Sequence, residues 1–170
     1  TEVLLHGYEQ WGVDLLQRVR GMFTFVIWDK NKQELFGARD HFGIKPFYYA
    51  KMNGTFMYAS EIKSLLRHPD FVKELNAEAL KPYMTFQYPA IGETFFKGVY
   101  KLPEGHYFTY RDGKMDIHRY YDEDFREGKQ KLGELVNSID QTVCDSVKAH
   151  QIADVEVGSF LSSGVASSYV

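Results

Sequence analysis

Apolar residues at Leu4, Tyr8, Trp11, Leu15 and Val19 recur every three or four positions, so residues 1–19 are expected to form an amphipathic helix. The register then changes. β-Prone runs follow at 22–29, 34–39, 46–51 and 55–60. Lys30-Asn31-Lys32-Gln33 and Asn53-Gly54 suit tight hairpins between them, and Gly43 and Pro46 punctuate the longer connection. These runs predict an antiparallel meander. From Met22 to Trp28 nearly every position is apolar, the pattern of a strand buried on both faces. Short helices are expected at 61–67 and at 77–86, the second capped by Asn76, and 87–98 reads as irregular. Two further strand-like runs, 105–110 and 115–121, flank the hairpin signal Asp112-Gly113, as a second sheet or an extension of the first.

The stretch 122–131 is polar and charged, a linker pattern. Beyond it Leu132, Leu135, Val136, Ile139, Val143 and Val147 mark a second amphipathic helix ending near His150. Residues 154–161 read as a strand, Ser162-Ser163-Gly164 as a loop, and a further helix is expected to begin before Val170. Helical register already in force at Thr1 and a helix only starting at Val170 lead to the expectation that this is a piece of a longer protein. The order predicts an α+β portion followed by the start of an α/β one.

Composition adds exclusions. The 170 residues are 44% hydrophobic and 16% aromatic, as in globular proteins. A net charge of -3 with scattered Lys and Arg leaves no footprint for nucleic acid. No apolar run approaches the roughly 18 to 20 residues that span a bilayer, so no membrane partner and a soluble, cytoplasmic protein are expected. Cys144, the single cysteine, falls on the apolar side of its helix and is expected to be a small buried hydrophobe rather than a nucleophile. The histidines show no metal-ligand spacing, Asp122, Glu123 and Asp124 read as solvated linker, and His68-Pro69-Asp70 reads as a loop. No metal ligand is assigned.

The most suggestive chemistry lies at 157–168. A strand that hands small residues to a helix N-terminus can aim backbone N–H groups at phosphate oxygens, with the hydroxyls of Ser162, Ser163, Ser167 and Ser168 as further donors. On residue types alone a plain connection and a phosphate loop stay equally open, since the Walker A spacing and its Lys are absent.

This loop resembles the pyrophosphate loop of ATP pyrophosphatases, usually Ser-Gly-Gly-hydrophobe-Asp-Ser, with Ser163 at the second position and Ala166 at the Asp position. The runs 20–29, 38–49 and 58–63, then Leu102-Pro103-Glu104-Gly105-His106 and Arg119-Tyr120-Tyr121, are similar in order and spacing to class B asparagine synthetases. The resemblance implies the later part of an N-terminal nucleophile (αββα) glutaminase domain at 1–121, a linker at 122–131, and the start of an α/β ATP-pyrophosphatase-type domain at 132–170. It implies glutamine hydrolysis, passage of ammonia through a channel, and ATP-dependent amidation of aspartate to asparagine, AMP and pyrophosphate. By position, Leu161, Ser162, Ser163, Gly164, Ser167 and Ser168 match nucleotide contacts, and Met22 and Phe160 match channel-lining sites. The family's glutaminase residues have no counterparts within 1–170, so no catalytic residue is assigned and the chain alone is expected to be inactive. ATP and Mg2+ are the implied cofactors, with Ala166 weakening the case for magnesium. Glutamine, aspartate and ATP are the implied small-molecule partners, and a homodimer is compatible with the family. A related amide-forming ligase and a non-catalytic binding domain stand as alternatives. Arg39 and Asp40 are expected to serve the scaffold.

Overall fold

The computed structural model describes residues 1–88 and 91–170, which form two compact units, Thr1–Glu123 and Asp124–Val170. The irregular reading of 87–98 falls at Pro89 and Ala90 outside the described residues.

The first unit begins with α1 (Glu2–Trp11) and a 3₁₀ turn (Gly12–Gln17), not the single helix expected over 1–19. Gly12, at φ 58°, breaks the register. Consecutive residues of an α-helix point about 100° apart. In the 3₁₀ turn, where consecutive residues point about 120° apart, Leu15 and Leu16 are nevertheless both buried.

Among the described residues seven strands follow: β1 (Thr24–Asp29), β2 (Glu34–Arg39), β3 (Tyr48–Met52), β4 (Thr55–Ala59), β5 (Val99–Lys101), β6 (His106–Arg111) and β7 (Lys114–Arg119). They do not form one meander. A four-stranded antiparallel sheet has the order β1-β2-β6-β7, and a three-stranded one has β4-β3-β5. The late hairpin therefore extends the first sheet, while β3 and β4 separate into a second. The expected hairpin turns form as read, with Asn53 and Gly54 at φ 49° and 82° and Asp112 and Gly113 at φ 51° and 77°.

Side chains alternate across the layers. Val26, Leu35, Phe108 and Tyr110 of the first sheet meet Tyr49 and Phe56 of the second and Phe47 just before it, and Phe56 stacks on Tyr110 at 4.2 Å. On the outer face of the first sheet Ile27, Phe36 and Ala38 pack against Leu16 and Tyr8. On the outer face of the second, Ala50 and Met57 pack against Leu65 of α2 (Ile62–Leu65). The unit is thus helix, sheet, sheet, helix. β1 is an edge strand with Trp28 exposed at its end, so the expectation of full burial on both faces holds for Ile27 and not for the whole run. The helix expected over 77–86 is a 3₁₀ turn (Ala77–Ala79) followed by α3 (Leu80–Phe86), and Asn76 caps it by accepting the Glu78 N–H at 3.2 Å.

The second unit contains α4 (Leu132–His150), where the Glu134 carboxylate accepts the Lys131 N–H at 3.3 Å, and α5 (Val165–Tyr169). Tyr169 donates its hydroxyl to Asp140, joining the two helices, and this bond raises the phenol pKa to about 12. Residues 154–161 form no strand, because none of the described residues of the unit offers a ladder of hydrogen bonds. Cys144 is exposed, contrary to its expected burial: the apolar stripe of α4, with Leu135, Val136 and Ile139, also stays exposed. Among the described residues no helix is long and apolar enough to cross a membrane.

Candidate functional site

The serine loop of the second unit curls on itself. Ser167 Oγ lies 2.8 Å from Ser162 Oγ, 2.9 Å from the Ser162 carbonyl and 3.1 Å from the Gly164 carbonyl, and it accepts the Ser162 N–H at 3.2 Å. Ser168 donates to the Gly164 carbonyl at 2.9 Å. Ser162, Gly164, Ser167 and Ser168 are thereby brought together, whereas Leu161 and Ser163 remain outside this network. Ser163 is not among the residues with positive φ, so its side chain costs no backbone strain. Residues 161–168 supply hydroxyls and backbone groups and hold no carboxylate. They suit phosphate oxygens and do not suit magnesium, a hard cation that favours carboxylates.

The two residues matched to a channel lie in different units. Met22 precedes β1 and is 48% exposed, and Phe160 is 99% exposed.

The most densely bonded polar corner is in the first unit, where the chain crosses between its sheets. Arg39 ends β2, Asp40 follows it, and each is 2% exposed. The Arg39 guanidinium donates to the carbonyls of Lys45 at 2.7 Å, Gly43 at 2.5 Å and Leu102 at 2.7 Å. The Asp40 carboxylate accepts the N–H groups of Ile44 and Lys45, each at 2.9 Å. The Asp40 carbonyl accepts the N–H groups of Gly43 at 3.1 Å and Gly105 at 3.0 Å. Both crossovers, β2 to β3 and β5 to β6, are therefore held by adjacent residues. Burial lowers the Arg39 pKa, opposed by Glu104 and Asp40. Tyr120 donates its hydroxyl to the Arg39 carbonyl at 2.7 Å, and burial, then Asp40, raise the phenol pKa.

The scaffold expectation for Arg39 and Asp40 agrees with this geometry, although the partners of Arg39 are carbonyls rather than the carboxylate. Carbonyls occur at every residue, so no sequence signal singles them out. Sequence reasoning also missed a cleft of about 440 Å³ beside Tyr8, Asp29 and Lys32. There Tyr8 donates to Asp29 at 3.3 Å and Lys32 donates to the Tyr8 hydroxyl at 3.2 Å. Tyr8 had been legible only as part of the helical stripe. Among the described residues no group of three or more His, Cys, Asp or Glu side chains lies close enough to hold a metal ion.

The family profile of the glutamine amidotransferase domain matches residues 1–121. This chain belongs to the glutamine amidotransferase family. The asparagine synthase profile matches residues 138–170 of the same amidotransferase chain. Asparagine synthetase [glutamine-hydrolyzing] 1 of Bacillus subtilis is 41% identical over 171 residues, covering 100% of this chain and 27% of that protein. Asparagine synthetase [glutamine-hydrolyzing] 3 of the same organism is 33% identical over 100% of this chain and 28% of its own length. The amidase chry2 of Gibberella zeae is 33% identical over 99% of this chain and 25% of its own length. The chain thus spans about a quarter of the length of these relatives.

Proposed function

We propose that the chain is part of a glutamine-hydrolysing asparagine synthetase, in which one unit serves ammonia release and the other begins the ATP-dependent amidation of aspartate. The observation that carries this reading is the succession of an amidotransferase match at 1–121 and an asparagine synthase match at 138–170, aligned end to end with asparagine synthetases. In this reading 1–121 is the later part of an N-terminal nucleophile glutaminase domain. Its helix, sheet, sheet, helix layering supports that assignment. Residues 122–131 are the linker, and 132–170 open an ATP-pyrophosphatase-type domain in a cytoplasmic, dimer-forming enzyme.

Glutamine hydrolysis yields glutamate and ammonia. Attack of ammonia on the aspartate side-chain carboxyl, activated by transfer of AMP from ATP with loss of pyrophosphate, yields asparagine and AMP. Leu161, Ser162, Ser163, Gly164, Ser167 and Ser168 are assigned to ATP phosphates. Their hydroxyls and N–H groups would exchange the internal bonds of the curled loop for bonds to phosphate oxygens. Met22 and Phe160 are assigned to the ammonia path. Magnesium would need carboxylates from elsewhere, since Ala166 offers none.

The test is to supply the full-length protein with glutamine, aspartate, ATP and magnesium and to measure glutamate, AMP and asparagine together. Equal formation of AMP and asparagine is expected. AMP formation with another carboxylate acceptor and not with aspartate would move the chain to a related amide-forming ligase. A folded protein that releases neither AMP nor glutamate would defeat the enzymatic reading.

A further inference from the structure

The segment in which the first unit ends is fastened far more tightly than termination of a strand requires. The Gly105 carbonyl accepts two N–H groups, from Tyr120 at 2.9 Å and Tyr121 at 3.2 Å. The Tyr120 hydroxyl reaches the buried Arg39 carbonyl, and the Tyr120 carbonyl accepts from the Gln17 amide at 3.0 Å. The Tyr121 ring lies flat on His41, with centroids 4.1 Å apart and planes 17° apart, and meets the edge of Phe42 at 5.9 Å. Arg119 bonds the Tyr121 carbonyl at 3.0 Å and pairs with Asp122. Gly105 is at φ 64°, and a Cβ there would stand 2.9 Å from the Tyr121 carbonyl, so the approach leaves no room for a side chain. Through Gly105 N–H on the Asp40 carbonyl, these bonds reach the corner that holds both crossovers between the sheets. Regular structure ends at Arg119, two residues before the linker, and residues 122–131 are charged coil.

We propose that Tyr121, seated on His41 and Gly105, is a positioning residue that fixes where and in what direction the chain leaves the amidotransferase unit, and so keeps ammonia release coupled to amide formation. This rests on the reading proposed above. A tether acts through the effective concentration of what it carries, and that concentration falls roughly as the -3/2 power of tether length. Releasing residues 120 and 121, which lie beyond the last pair of β7, would lengthen the tether from about ten to about twelve residues, lowering effective concentration by about a quarter before any loss of direction. The coupled reaction should feel this, whereas each half-reaction alone should not.

The test uses full-length protein carrying Tyr121→Ala, Tyr121→Phe or Tyr120→Phe. Three activities are compared: glutamate formation from glutamine, asparagine formation from added ammonia, and asparagine formed per glutamine consumed. In Tyr121→Ala the last ratio should fall by about a quarter or more while the first two stay at parent level. Tyr121→Phe, which retains the ring on His41, should behave as the parent. Tyr120→Phe, which removes the bond to Arg39, should lower the ratio in the same direction. Hydrogen exchange should quicken at the amides of residues 120 and 121 in Tyr121→Ala and stay slow in the β6–β7 hairpin. An unchanged ratio despite lost protection, a parallel fall in all three activities, or retained protection would overturn the inference. A folded parent with neither half-reaction sinks the proposed function instead, and this inference with it.

Discussion

Arg39 and Asp40 show how two charges can be buried without being exposed to water or bonded to each other. A buried guanidinium is tolerable only when its N–H groups are spent, and here they meet three carbonyls, while the Asp40 carboxylate meets two N–H groups. Asp40→Ala would leave those N–H groups unpaired and Arg39 without its adjacent anion. A loss of about 3 kcal/mol is expected, read as a lowered first thermal transition of the full-length protein, and Asp40→Asn should cost less because one acceptor remains. Ala166 presents the opposite case under the proposed function, a position where the resemblance to ATP pyrophosphatases leads to the expectation of a carboxylate. Ala166→Asp in the full-length protein should strengthen magnesium-dependent ATP binding and raise ATP–pyrophosphate exchange with aspartate, leaving glutamine hydrolysis unchanged. Equal exchange rates in the two proteins would show that this carboxylate is dispensable.

Local chemistry explains why some elements were legible and others were not. Asn53-Gly54 and Asp112-Gly113 occupy positive φ where a twisted hairpin requires it, so their turns could be read from residue type. The Asn76 cap is also local, between a side chain and an N–H two residues on. β5 (Val99–Lys101) was missed because three residues are too few to show alternation, and its place was set by pairing with β3. The strand expected at 154–161 has the right residues and lacks a partner in its unit. Gly37 in β2 gives a sharper example, since a Cβ there would stand 2.3 Å from the ring of Phe108, which is buried in β6. Gly37→Ala should force that ring to move and cost about 1 to 3 kcal/mol, seen as a lower melting temperature with loss of near-ultraviolet aromatic dichroism. An unchanged melting temperature would mean that the two sheets yield more readily than their packing suggests.

The division of seven strands between two sheets could not be read from consecutive hairpins. Adjacent strands pair in most connections, so the runs from 22 to 60 read as one meander. The decisive feature is the crossover after β2, held by bonds from Arg39 and Asp40 to residues that lie as far along the chain as Leu102 and Gly105. Periodicity informs only single elements, so the pairing of β2 with the distant β6 lay outside its reach. One expectation belongs to the chain as a whole: purified residues 1–170 should release no ammonia from glutamine, since none of the residues the resemblance assigns to that step has a counterpart among them. Release above a heat-killed control would contradict this.

What the residues determined by themselves is whatever depends on neighbours a few positions apart: the helical stripe of α4, hairpin turns, the Asn76 cap, and the small polar loop at 162–164. Only the tertiary structure decided which strands share a sheet, that Leu15 and Leu16 are both buried, that Cys144 faces outward, and that Arg39 spends its charge on carbonyls. The physical reason is range. Backbone torsions and local hydrogen bonds are written in adjacent side chains, whereas burial and the pairing of carbonyls depend on segments that meet only when the chain has folded.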